Sequence, residues 1–237
     1  MKYEHVIEGN FIERLNRFAA DVQIGGEKEK VHVKNTGRCR ELLVPGAKVY
    51  LEDFSERMGS RKLKYSLIGV EKAVGTERRL INMDSQAPNQ VVREALESGR
   101  LIPEGLKDAA FVKSEYVYGN SRIDFYVKDS TGKEALMEVK GVTLEQDGVA
   151  EFPDAPTERG IKHIRELVKA REEGYCASIL FVLQMKGVDF FQPNDRTHPA
   201  FGAALREAVQ SGVTVCAYDC IVGTDTLTLD RAVDIKL

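Results

Sequence analysis

Residues 177–183 read Ala-Ser-Ile-Leu-Phe-Val-Leu, apolar at every position except Ser178. A continuous apolar run of this length, with no polar alternation, suits a strand buried on both faces. Residues 199–210 follow with a helical pattern, Thr197 in place to cap it, and residues 213–218 read as another strand. Strand, helix, strand in that order makes a crossover unit, so the two strands are expected to lie parallel and this half of the chain to be α/β. The run is far too short for a membrane span, which needs about 20 apolar residues. No other run comes closer, and residues 1–10 hold no apolar segment of the secretion-signal kind.

The first 75 residues are built differently. Residues 30–34 alternate, placing Val31 and Val33 on one face, and residues 47–51 alternate again after a turn at Pro45-Gly46. Residues 65–70 are a third β-rich run. Short strands at this spacing predict a small antiparallel barrel, of a size compatible with an OB-type nucleic-acid binder. The pattern changes near residue 76, and the chain is read as two domains, residues 1–80 and 81–237. The second opens with a helix over 88–98, in which Val91, Val92, Ala95 and Leu96 form the apolar stripe and Gly99 the stop. A single strand over 115–127 then pairs with one over 135–139 through a turn at 129–132. A further helix over 157–173 begins at the N-cap Thr157 and stops at Gly174.

With 43% hydrophobic and 30% charged residues, the 237-residue chain can bury a sizeable core as an ordinary soluble protein. Net charge is −3, unevenly distributed. Residues 1–80 hold 16 Lys+Arg and 12 Asp+Glu, a net of +4; the remainder holds 18 and 25, a net of −7. The basic part sits where the barrel is predicted. Cys39, Cys176, Cys216 and Cys220 form no Cys-x-x-Cys pair and match no zinc spacing. Reduced thiols, and with them a cytoplasmic protein, are the expectation.

Chemistry concentrates in residues 122–140. Asp124 lies between Ile123 and Phe125, and Glu138-Val139-Lys140 follows on the partner strand. Alternation sends Glu138 and Lys140 to one face and Val139 to the other, with Asp124 expected opposite its two apolar neighbours. If the hairpin pairs as its turn suggests, Asp124 and Glu138 meet at one end of the sheet. Two carboxylates held together repel unless a cation offsets them. Mg²⁺ or Mn²⁺, with Asp124 and Glu138 as metal ligands, would do so, bind a phosphate oxygen and lower the pKa of an attacking water. Lys140 could orient that water or stabilise developing charge. Glu94 or Glu115 could supply a third acid. The alternative is an exposed hairpin face with Glu138 and Lys140 solvated and Asp124 held by Arg122.

Basic residues mark two further places. Residues 152–160, Phe-Pro-Asp-Ala-Pro-Thr-Glu-Arg-Gly, deliver the chain into a helix whose first turn carries Arg159, Lys162 and His163, a setting for phosphate. His163 is expected to be packed or partnered rather than a base. In the first part, Arg14, Arg17 and Phe18, and Arg38 and Arg40 after Gly37, put cations and an aromatic ring beside turns. That composition suits DNA held without reading its sequence.

The segments 35–46, 121–125, 138–144 and 152–160, taken in order, resemble the sugar fermentation stimulation protein A family. The resemblance implies an OB-like all-β barrel followed by an α/β domain of the PD-(D/E)xK restriction-endonuclease-like fold. It implies largely sequence-independent DNA binding and a regulatory link to sugar (maltose) metabolism. Asp124 would be the aspartate of the nuclease motif, Glu138 and Lys140 its Glu-x-Lys, and Glu94 the acid on the first helix; Ile123 stands where the motif's name has proline. Two readings follow: a DNA-binding Mg²⁺-dependent deoxyribonuclease, and a non-catalytic DNA-binding transcriptional regulator that retains a nuclease fold.

Overall fold

The computed structural model describes residues 1–35 and 37–237. Thr36, in the 35–46 segment, lies outside the described residues. The first part is a closed barrel of β1 (Val6–Arg14), β2 (Ala19–Ile24), β3 (Glu27–Val33), β4 (Lys48–Asp53) and β5 (Tyr65–Val74). β1 pairs antiparallel with β2 and β4, β2 with β3, and β4 with β5. Closure comes from β3 and β5, with His32 opposite Ser66 and Val33 opposite Leu67. This seam is parallel, which corrects the expectation of a wholly antiparallel barrel. β4 runs opposite to β1, so β5 points as β1 and β3 do. Phe11, Val22, Val33, Leu51 and Leu67 fill the interior. β2 escapes the alternation test because its first four residues are all buried. β6 (Glu77–Asn82) extends the sheet from β5.

The second part contains α1 (Ala87–Glu97), β7 (Phe111–Tyr118), β8 (Ser121–Lys128), β9 (Glu134–Val142), β10 (Glu145–Gln146), β11 (Val149–Phe152), α2 (Glu158–Glu172), β12 (Cys176–Leu183), β13 (Phe190–Pro193), α3 (Pro199–Gln210), β14 (Thr214–Val222) and β15 (Leu227–Ala232). The main sheet has the order β15-β14-β12-β9-β8-β7. Its central strands β9, β12 and β14 are parallel, as the crossover pattern requires. β12 is buried at all eight positions, because helices cover both faces. α1 packs over Phe125, Val127, Met137, Val139 and Leu180, while α2 and α3 cover Leu136, Ile179, Phe181 and Leu183. The expected strand over 115–127 is two strands, β7 and β8, paired across a turn where Gly119 has φ +53°. His198, not Thr197, is the N-cap of α3. Among the described residues no helix is long and apolar enough to cross a membrane.

The two parts are locked together. Met185, just after β12, packs into the barrel core. Gln184 donates from Nε2 to the Asn82 carbonyl, Asn82 Oδ1 and the Asp84 carbonyl. Buried Glu145 accepts from Lys72 Nζ at 2.7 Å, with Arg79 Nη1 3.1 Å away.

Candidate active site

β8 and β9 are paired from Lys128↔Glu134 to Phe125↔Met137, and there the ladder ends. Beyond that point Asp124 takes the place of a backbone partner. Its Oδ2 accepts the Val139 N–H at 2.8 Å, and its Oδ1 accepts Asn89 Nδ2, from the first turn of α1, at 2.9 Å. Ile123 belongs to the core under α2 and Phe125 to the core under α1. The two apolar neighbours of Asp124 therefore do not share a face, contrary to strict alternation. The slip coincides with Glu115, which falls opposite Asp124 in the β7–β8 register and has φ +52°.

Glu138 is 2% exposed and lies under α2. Alternation along β9 puts it on the same face as Leu136 and Lys140, with Met137 and Val139 packed against α1. Its Oε1 receives both Lys140 Nζ and His163 Nδ1. Its Oε2 is buried without a hydrogen-bond partner. Burial alone would raise the Glu138 pKa, but the His163 hydrogen bond and the Lys140 charge outweigh it and hold the carboxyl below the usual range. Asp124 goes the other way: burial, then repulsion from Glu138, raises it against the bonds from Val139 and Asn89.

A buried carboxylate oxygen with nothing to accept from is costly. A divalent cation held by that oxygen and Asp124 would satisfy it and relieve the repulsion. Among the described residues no three His, Cys, Asp or Glu side chains gather to hold a metal. Two carboxylates with the remaining positions left to water and phosphate suit Mg²⁺ or Mn²⁺ rather than an all-protein zinc cage. The residues present fit such an ion.

Glu94 is not among the contacts of this pair. Its carboxylate meets the Met1 amine at 2.6 Å and Gln90 Nε2 at 3.3 Å. Glu115 pairs with Arg122 at the surface, so Arg122 does not hold Asp124. Asn89 is the α1 residue that reaches the site. Lys162 Nζ binds the Asn120 carbonyl in the β7–β8 turn. Arg159 is exposed and donates from Nε to His163 Nε2 at 3.3 Å. Thr157 Oγ1 already accepts the Gly160 N–H at the start of α2, so that turn is partly closed to a phosphate. His163 is partnered, as expected, and its partner is the central carboxylate. No spacing rule would have paired residues 138 and 163; the only signal was the placement of His163 within the first two turns of the helix.

On the barrel, Arg17, Arg38 and Arg40 are exposed along a groove shared with Asn16 and Leu43, and Arg17 lies 5.8 Å from the Phe18 ring centre. Phe18 is 53% exposed. Arg14 lines the same groove, but its guanidinium donates to the carbonyls of Asn16, Arg17, Asn35, Gly37 and Arg38. It holds the groove's loops together, each of its five N–H donors meeting a carbonyl. A second cleft, between the two parts, joins three segments singled out in the sequence: Asn35 and Gly37, Gly141 to Leu144, and Phe152 with Asp154. It opens one residue from Lys140.

An OB barrel joined to an α/β domain of the restriction-endonuclease-like class is what these elements define. Family comparison agrees: residues 12–83 match the model of the SfsA N-terminal OB domain, and residues 86–226 that of the sugar fermentation stimulation protein RE domain. The sugar fermentation stimulation protein homolog of Clostridium beijerinckii is 49% identical, covering 100% of both chains. That of Desulfitobacterium hafniense strain DSM 10664 / DCB-2 is 50% identical, covering 100% of this chain and 99% of the relative. A solved structure of Pyrococcus furiosus SfsA in complex with Ca²⁺ is 28% identical with a TM-score of 0.86, covering 100% and 98%. The chain belongs to the sugar fermentation stimulation protein family.

Proposed function

We propose that the chain binds DNA through the arginine groove of the barrel and cleaves phosphodiester bonds at a divalent-metal site formed by Asp124 and Glu138. The observation that carries this reading is the orphaned Oε2 of buried Glu138 beside Asp124, whose pKa is raised. Mg²⁺ or Mn²⁺, when bound, would supply charge neutralisation at the phosphate and a water of lowered pKa. Asn89 and the Val139 N–H hold Asp124 facing that position. Lys140 neutralises Glu138 at rest, and its ammonium would stabilise charge developing on the phosphate. Arg17, Arg38 and Arg40 hold the backbone, and the exposed Phe18 ring offers a stacking platform.

The P. furiosus relative's complex with Ca²⁺, another oxygen-seeking cation, supports an ion of this class. The name borne by the curated relatives supports a regulatory tie to sugar use, and four free thiols suit the cytoplasm. A second reading rests on the barrel groove alone, which needs no metal: a DNA-binding regulator whose nuclease fold is a scaffold. Plasmid incubated with Mn²⁺ separates the two. Cleavage by the wild type that falls at least about 100-fold in Asp124→Asn and Lys140→Met supports the enzyme. Equal cleavage by all three proteins means contamination and leaves the regulator.

A further inference from the structure

The segment at the start of α2 has a use that its basic side chains alone do not disclose. Three side chains stand in line: Arg159, His163 and Glu138. Arg159 and His163 are four residues apart on α2 and so share a face. The Arg159 guanidinium carries donors only. Its bond to His163 at 3.3 Å therefore requires a lone pair on Nε2. In the neutral ring the proton then sits on Nδ1, the nitrogen that meets Glu138 Oε1. His163 is 5% exposed, so little solvent competes for that proton. Gly160 lets this turn of α2 seat closely, since a Cβ there would lie 2.9 Å from Thr157 Cγ2 and 3.1 Å from the Phe201 ring.

The second observation is the asymmetry at Glu138. His163 and Lys140 both use Oε1, while Oε2 has no partner at all. Two donors on one oxygen restrain the carboxylate and leave the other oxygen buried with no donor of its own. We infer that His163 is a positioning residue, locked in its Nδ1–H tautomer by Arg159, which clamps Oε1 of Glu138 so that Oε2 is presented to a divalent cation. This rests on the metal site proposed above. It reassigns Arg159 from phosphate contact to the far end of a relay that orients a ligand. Donors behind a metal-binding side chain commonly govern affinity by about 10–100-fold when removed.

The full-length protein tests it with two readouts that do not depend on turnover. The first is Mn²⁺ titration by calorimetry. His163→Ala should weaken Mn²⁺ binding by about 10–100-fold. His163→Asn, whose amide N–H can stand near the position of Nδ1–H, should restore most of that loss. Equal affinity in wild type and His163→Ala overturns the inference, as does failure of the Asn variant to recover when its melting temperature matches the wild type. The second is ¹⁵N NMR of the imidazole in metal-free protein. The wild type should show the Nδ1–H tautomer, and Arg159→Met should shift the population toward Nε2–H. A wild-type ring protonated on Nε2 also overturns the inference. If the wild type takes up no Mn²⁺, the metal site itself fails, and the NMR result still decides the tautomer lock on its own.

Discussion

Asp124 Oδ2 accepts the main-chain N–H of Val139 at 2.8 Å, at the point where β8 and β9 stop pairing. One carboxylate thus replaces a ladder bond and, on the proposed reading, also holds the metal, and substitutions can separate the two roles. Asp124→Asn keeps an acceptor for Val139 and should fold within about 1 kcal/mol of the wild type. It should lose most Mn²⁺ affinity, because a neutral amide cannot offset the cation. Asp124→Ala leaves a buried N–H unpaired and should cost about 1–3 kcal/mol in addition. Urea denaturation and calorimetric titration of both variants check this; equal stability of the two would show that the ladder bond contributes nothing.

That Glu138 and Lys140 share a face, and that the strand of Asp124 pairs beside theirs, was legible because strand alternation and turn chemistry are local. The run at 177–183 was legible for the same reason, since burial on both faces leaves its mark in every residue. What the sequence hid was non-local or irregular. Alternation slips at Asp124, with Glu115 opposite in a left-handed conformation, so the side-chain directions around the aspartate could not be counted off. His163 reaches Glu138 only because α2 packs across β9. Glu94 shares a helix with Asn89 but lies about one and a half turns further along, and so meets the Met1 amine instead. Arg14 and Arg17 look equivalent in sequence, and only loop geometry separates them.

Arg14 and its neighbours therefore predict divergent behaviour. Arg14→Ala frees five loop carbonyls and should destabilise the fold by about 1–3 kcal/mol. Arg17→Ala and Arg38→Ala sit on exposed positions and should change stability by less than about 0.5 kcal/mol. Each should instead lower DNA affinity and reduce the slope of log K against log salt by about 1. Fluorescence anisotropy over a salt series, beside thermal melts, reads both effects. A salt slope unchanged in Arg17→Ala and Arg38→Ala removes the groove from the DNA interface.

The turn between β8 and β9 gives a pH dependence with a definite sign. Asp129 accepts from the Thr131 hydroxyl and from the N–H groups of Lys107, Thr131 and Lys133. The Thr131 hydroxyl bond is the leading cause, followed by the Lys107 N–H, and together these donors hold the carboxyl well below the usual range. The unfolded chain takes up a proton more readily than the folded one, so the contribution is complete above the ordinary aspartate pKa of about 3.9. It is lost as pH falls from there through the native value. The melting-temperature gap between wild type and Asp129→Asn should be constant near neutrality and narrow below about pH 4. A gap that widens in acid would contradict this.

Glu145 ties the barrel to the α/β domain, and its energetics follow from its burial. It is 1% exposed; Lys72, mostly covered, meets Oε2, while Oε1 lies 3.1 Å from the covered Arg79 guanidinium and accepts the Gly148 N–H at 2.7 Å. Removing one partner of such a group leaves buried charge uncompensated, which costs about 3–5 kcal/mol, more than the intact pair contributes over an apolar replacement. Glu145→Gln should therefore destabilise strongly, since two cations lose the counter-charge they share. Adding Lys72→Met should recover part of the loss by removing one of the stranded cations. The cleft beside Lys140 lies between the same two parts, so loosening this tie should also raise hydrogen exchange at Gln184 and Met185, which hold the barrel from the other side. Chemical denaturation of the single and double variants, with exchange at those two amides, tests the coupling. If the double variant is less stable than Glu145→Gln alone, the stranded-cation account is wrong and Lys72 stabilises through its aliphatic stem instead.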